Sequence, residues 1–266
     1  MSIEQKLAEV VGSANALTKQ VSGKISEIDR EVDAIKQHAQ TTINNAATKL
    51  GYIAINRNDK LVSYRTYTPP KGHGQVNKLP MWWGIQQRVL DHCHFELIRV
   101  FSGDTPEDRD PEAQELLDYM NIGSETLHFS GSFHILKITV LDKAVMEGDG
   151  ADIYIADQHL KANPATSFLR YVKVNAKGRA SWLDGDTNGK WLHKRFVNSS
   201  SRNGRYTHVD INFYDVEVGD EFFLALPSVV PGVWPEGKKH GALYNRYDRI
   251  NDRITNIEGR LGDIEA

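Results

Sequence analysis

The chain has 266 residues, of which 25% are charged and 40% apolar, and a net charge of -3. That length leaves room for one large or two small domains with a real core, and the mild acidity argues against a globally basic nucleic-acid surface. A single cysteine, Cys93, excludes an internal disulfide framework, and no stretch has the apolar length that membrane insertion needs.

Residues 1–50 read as an N-terminal coiled-coil stalk. Ile3, Leu7, Val10, Ala14, Leu17 and Val21 keep a four–three spacing, the period of a coiled coil. Ile25 comes four residues later, close to Gly23, and Ile28, Val32, Ile35 and Ala39 resume the heptad before Ile43, Ala46 and Leu50 follow a second offset. Such offsets are stutters, which unwind a coil locally without ending it. The first proline is Pro69, and fifty helical residues would reach about 75 Å. Leu7, Val10, Leu17, Val21, Ile28, Val32 and Ile35 are expected to face other copies of the chain. The competing reading is a disordered leader with chance periodicity. Acids come early and no apolar signal stretch follows, so cytoplasmic synthesis without secretory export is expected.

Residues 51–126 read as a mixed α/β lead-in. One or two strands precede the breaks at Pro69-Pro70 and Gly72-His73-Gly74. The run from Met81 to Phe101 suits a helix early and a strand late, around Phe95, Leu97 and Val100. After a turn at Ser102–Pro106, Pro111 to Met120 predicts a short helix with proline at its start and acids in its first turn.

Residues 127–240 read as a β domain, an antiparallel sandwich of jelly-roll type. Seven runs rich in aromatic and β-branched residues, from Leu127 to Val230, alternate with turn-rich pieces such as Gly148-Asp149-Gly150 and Asn203-Gly204.

Residues 241–266 predict a trimeric coiled coil. Leu243, Tyr247, Ile250, Ile254, Ile257, Leu261 and Ile264 step by four and three without a break, and charged residues surround that narrow stripe. Tyr247, Ile254 and Leu261 fall on one seam and Leu243, Ile250, Ile257 and Ile264 on the other, and β-branched residues at both seams favour trimers or larger. A helix folded back on its own domain is the alternative. The expected whole is an intertwined homotrimer, mainly β in the middle and flanked by coils.

Three sets of residues could carry chemistry. His92 and His94 flank Cys93; in a strand they share a face, and three copies around an axis would offer six imidazoles to an octahedral metal, although an ordinary half-buried segment explains them too. Asp184, Asp186 and Asn188 match the opening of a calcium loop, but position twelve is Arg195 where an acid is needed, so a polar turn competes. Trp182, Trp191, Tyr206 and Trp234 sit beside polar residues and could stack on sugar rings, against a core or interface role. No G-x-S-x-G, H-E-x-x-H or P-loop is present, and no enzyme activity is expected.

The opening MSIEQKLAEVVGSANALTKQVSGKISEID resembles the N-terminal segments of phage tail-fibre proteins, through Ser2, Glu4, Gln5 and Lys6, then Leu17-Thr18, then Gly23 to Asp29. The resemblance implies a trimeric virion fibre, made in the host cytoplasm, attached to other tail or baseplate proteins by its N-terminal end and meeting a bacterial surface glycan or protein elsewhere. It also implies an axial iron for a His-x-His pair such as His92 and His94. A purely structural collar or baseplate fibre and a polysaccharide-degrading tailspike are the alternatives.

Overall fold

The computed structural model describes residues 2–50, 52–147, 153–155, 165–183, 187–199, 208–245 and 247. The chain divides into two units, Met1–Gly51 and Tyr52–Ala266. The first is a single helix, α1 (Ile3–Leu50). Its start is fixed by a reciprocal cap. The amide of Gln5 donates to the Ser2 hydroxyl at 3.2 Å, and the Gln5 side-chain oxygen accepts from the Ser2 amide at 3.0 Å, so two end donors that the helix leaves unpaired are satisfied.

The second unit is built on one antiparallel sheet of five strands: β1 (Cys93–Val100), β2 (Phe133–Val140), β3 (Ala165–Asn175), β4 (Leu192–Ser199) and β5 (Glu221–Pro231). Their order is β4-β3-β5-β2-β1, so the last strand in sequence lies at the centre. The edge strand β1 comes from the stretch read as a lead-in, which is therefore part of the same body. Both faces of the sheet are covered, and nine consecutive residues of β5, Phe222 to Val230, are buried. Continuous burial of this kind belongs to strands packed on two sides.

Alternation divides the side chains between two cores. Phe95, Leu97, Leu136, Ile138, Val172, Phe222 and Leu224 face one way. They meet short ladders, in which Ile153–Tyr154 pairs with Gly84–Ile85 on one side and Asp210–Ile211 on the other, and Arg179–Ala180 pairs with Phe213–Tyr214. Val100, Phe133, Ile135, Tyr171, Phe223 and Ala225 face the other way, onto Ala113, Leu116 and Leu117 of helix α2 (Pro111–Tyr119). Asp110 caps that helix by accepting from the Glu112 amide at 2.8 Å, and Pro111 occupies its first turn. A six-residue helix, Gln87–His92, leads directly into β1, as the helix-then-strand pattern predicts.

Pro227 lies in the central strand, where a proline removes a ladder hydrogen bond. The strand accommodates it with a bulge: Ala225 pairs with Tyr171 but Ser228 pairs with Leu169, and Leu226 takes a φ of 48°. The side chain of Asn56 bridges the gap, donating to the Pro227 carbonyl and accepting from the Val229 amide, both at 2.7 Å.

The expected C-terminal coil does not begin at Leu243. Tyr244–Asn245 is extended and pairs in parallel with Ile53–Ala54. Leu243 packs on Leu169, Val230 and Trp234, and the Asn245 amide donates to the Asn56 carbonyl and to Asp59. Those buried side-chain bonds and the packed leucine hold the segment out of a helix. Tyr247 lies in a turn, with the Arg57 guanidinium 5.1 Å from its ring. Ile250, Ile254, Ile257, Leu261 and Ile264 lie outside the described residues.

Candidate functional sites

The longest surface feature is the apolar stripe of α1. None of the described side chains of the helix is buried, and the exposure of its large apolar residues runs from 41% at Val32 to 86% at Ile3. Leu7, Val10, Leu17, Val21, Ile28 and Ile35 all belong to this set. The sequence places them on one apolar stripe, and a helix of this kind draws most of its stability from what covers its apolar face. Two glycines, Gly12 and Gly23, add to that need, because each weakens an isolated helix.

In the β unit, a cleft of about 440 Å³ opens beside the edge strand β1. Lys78, His94, Glu96, Arg99, Asp104, Asp108 and Asp110 line it, so it is polar and of mixed charge. Arg99 and Asp104 form a two-point pair, 2.8 and 3.0 Å. The hydrogen bond from Arg99 holds the Asp104 carboxyl below the usual carboxylate range. The buried Arg109 donates to the carbonyls of Ser124 and Asp104, both at 2.8 Å, and so braces the cleft wall. Three of the four carboxylates have work already: Glu96 faces Lys137 and His94 at 3.8 Å, Asp104 holds Arg99, and Asp110 caps α2. Such a surface offers hydrogen bonds to a polar ligand more readily than a pair of unengaged acids for hydrolysis.

His92 and His94 meet different neighbours within the chain. His92 ends the short helix, outside the strand whose alternation would have aligned the two. His94 turns to the cleft, its Nδ1 3.2 Å from the Asn77 amide oxygen. His92 turns to His73 and Asp142. Asp184 and Asp186 lie outside the described residues, and Asn188 has a φ of 47° in a turn. The Thr187 hydroxyl pins that turn, donating to the Val174 carbonyl and accepting from the Val174 amide.

Of the four aromatic residues, Trp191 is 1% exposed and Trp234 is 4% exposed. Trp234 packs on Tyr52, with ring centres 4.3 Å apart, and donates its indole N–H to the Lys238 carbonyl. Trp182 is half-buried between Phe168, Phe196 and Arg170. Protein therefore occupies the faces of these rings, and Tyr206 lies outside the described residues.

A buried cluster went unread in the sequence: Tyr171, His193 and His240. Tyr171 donates its hydroxyl to the His240 carbonyl at 2.5 Å, and the two rings stack with centres 5.0 Å apart. Its members come from β3, β4 and the segment after β5, so no local spacing could have joined them.

No protein-family model matches the chain, and a search of the curated proteins finds no relative.

Proposed function

We propose that this chain is the subunit of a homotrimeric virion fibre of the phage tail-fibre type, which holds the particle to a bacterial surface by multivalent, non-catalytic binding. The observation that carries the reading is the uncovered apolar seam of α1, with large side chains 41–86% exposed along a 48-residue helix. Each such side chain, once buried, contributes about 1.5–3 kcal/mol. Association with copies of the same helix supplies that burial. β-branched residues stand on both seams, as Ile3, Val10, Ile28 and Ile35 on one and Val21, Ile25 and Val32 on the other, which favours three strands or more over two. The resemblance at Ser2 to Asp29 gives the fibre its place, with the N-terminal end toward the virion.

We read the β unit as a sandwich-like domain, because short ladders cover one face of its main sheet. Host contact is assigned to the polar cleft beside β1, since Trp191 and Trp234 are buried. Three such clefts on one assembly gain avidity through effective concentration without a new contact. A structural fibre that binds only other virion proteins is the second reading, favoured by the cleft carboxylates already being paired within the chain.

Binding of the purified chain to host-range panels of bacterial cells and to a glycan array tests this. Attachment that Lys78→Glu with Arg109→Ala weakens at least tenfold supports the host-contact reading. Binding only to virion proteins contradicts it, and release of reducing sugar from capsular polysaccharide would contradict the non-catalytic part.

A further inference from the structure

Three side chains from three separate segments converge where the short helix meets β1. His73 comes from the loop after Pro69-Pro70, His92 from the end of the helix Gln87–His92, and Asp142 from just beyond β2. Asp142 Oδ2 lies 3.9 Å from Nδ1 of His92 and 3.8 Å from Nε2 of His73. All three ligand atoms fall within 4.8 Å of one another. These separations are too long for hydrogen bonds. Nδ1 of His92 is nonetheless buried and has no hydrogen-bond partner, a costly state for a ring nitrogen unless something else fills the space before it.

The surrounding bonds hold the three residues in place. The amides of Leu141 and Asp142 both donate to the His92 carbonyl, at 2.8 and 3.3 Å. Asp142 Oδ1 accepts from the Ala144 amide at 3.0 Å, which leaves Oδ2 toward the imidazoles. Gln75 ties the loop down: its side-chain oxygen accepts from the His73 amide at 2.6 Å, and its Nε2 donates to the carbonyls of Leu90 and Cys93 at 3.0 and 3.1 Å. Outer bonds of this kind orient metal ligands.

We propose that His73, His92 and Asp142 form a site for a divalent transition metal of the zinc class, with its remaining positions open to water or an external ligand. Two imidazoles and one carboxylate are a donor set that such ions take. Ligand atoms around a tetrahedral zinc stand about 3.3 Å apart, so the observed 3.8 and 3.9 Å close by a small rotation of the half-exposed His73 and Asp142 side chains. His94 takes no part.

The test is zinc titrated into the metal-free full chain, without a histidine tag, by calorimetry and by competition with a chromogenic chelator. One zinc per chain is expected, with a thermal midpoint that rises with zinc concentration. His92→Ala, His73→Ala and Asp142→Asn should each weaken binding at least tenfold, while His94→Ala leaves it unchanged. His73 and Asp142 are half-exposed, so their variants keep the core intact even if His92→Ala does not. No binding at micromolar zinc, or equal binding by the His73 and Asp142 variants, overturns the proposal. Loss in His94→Ala with retention in His92→Ala overturns it as well.

Discussion

Nε2 of His193 lies 2.9 Å from Nδ1 of His240, and the bond has a direction. His240 Nε2 lies 3.0 Å from the Leu226 carbonyl, which can only accept. In the neutral ring, Nδ1 of His240 is then the acceptor and His193 the donor. A proton added to His240 would break this bond inside the core.

Burial, reinforced by the charge of His193, pushes His240 down to about 3. Burial with Lys239, Arg170 and Arg195 pushes His193 down to about 4, and burial, chiefly, sets His134 at about 4. All three fall below the unfolded value, so near neutral pH neither state carries these protons. Below about pH 6.5 the unfolded chain takes them up and the folded chain does not, and stability falls by about 1.4 kcal/mol per pH unit for each residue. Urea unfolding between pH 7 and pH 4 should show this decline, and His134→Gln should flatten it. A curve that stays level down to pH 4 contradicts the assignment.

Lys173 joins the sheet to α2. Its ammonium lies 2.9 Å from both oxygens of Glu112 and 2.6 Å from Glu115, and the lysine is 6% exposed. Burial lowers its affinity for a proton, but the bonds to Glu115 and Glu112 outweigh it, and the group stays above the usual lysine range. This stabilisation is whole at neutral pH and is lost only as pH rises past that range. Lys173→Ala should cost about 1–3 kcal/mol in urea unfolding, the two glutamates remaining partly hydrated. Lys173→Met should cost less, because it keeps the stem over the Phe223 ring.

Two glycines should respond in opposite ways to alanine. A methyl group at Gly12 meets no atom within 4 Å, so Gly12→Ala should raise helix stability by about 0.5–1 kcal/mol. A methyl group at Gly178 would stand 2.4 Å from the Cα of Val216 and 2.6 Å from the Asp215 carbonyl. Backbone must move there, and Gly178→Ala should cost about 1–3 kcal/mol. Paired denaturation curves check both signs.

Local pattern made much of this legible. The apolar spacing from Ile3 to Ala39 announced α1, Pro111 announced α2, and the β-branched and aromatic runs announced β2, β3 and β5. What local pattern did not show depends on distant partners. Trp191 and Trp234 have polar neighbours in sequence, yet the chain folds Phe223 and Tyr52 against them. His92 and His94 have strand spacing, but the helix ends between them and sends His92 to Asp142. Leu243 keeps a heptad step, yet a pocket formed by Leu169, Val230 and Trp234 claims it. No period in the sequence could place β5 between β2 and β3.

The seam of α1 should be open to disruption without harm to the β unit. Ile28 is 56% exposed in the single chain, so Ile28→Asp removes no contact within it. In an association of helices the same change places three carboxylates together in an apolar seam, which is strongly unfavourable. Near-ultraviolet circular dichroism should stay unchanged while the assembly comes apart. Glu31→Ala, on the polar side, should leave the assembly intact.

Sedimentation equilibrium of the full chain tests the central claim most directly. A homotrimer requires three times the 30.0 kDa chain mass, falling to a single chain in Ile28→Asp. A stable species of 30.0 kDa at micromolar concentration, unchanged by that substitution, would contradict the fibre and the avidity argument built on it.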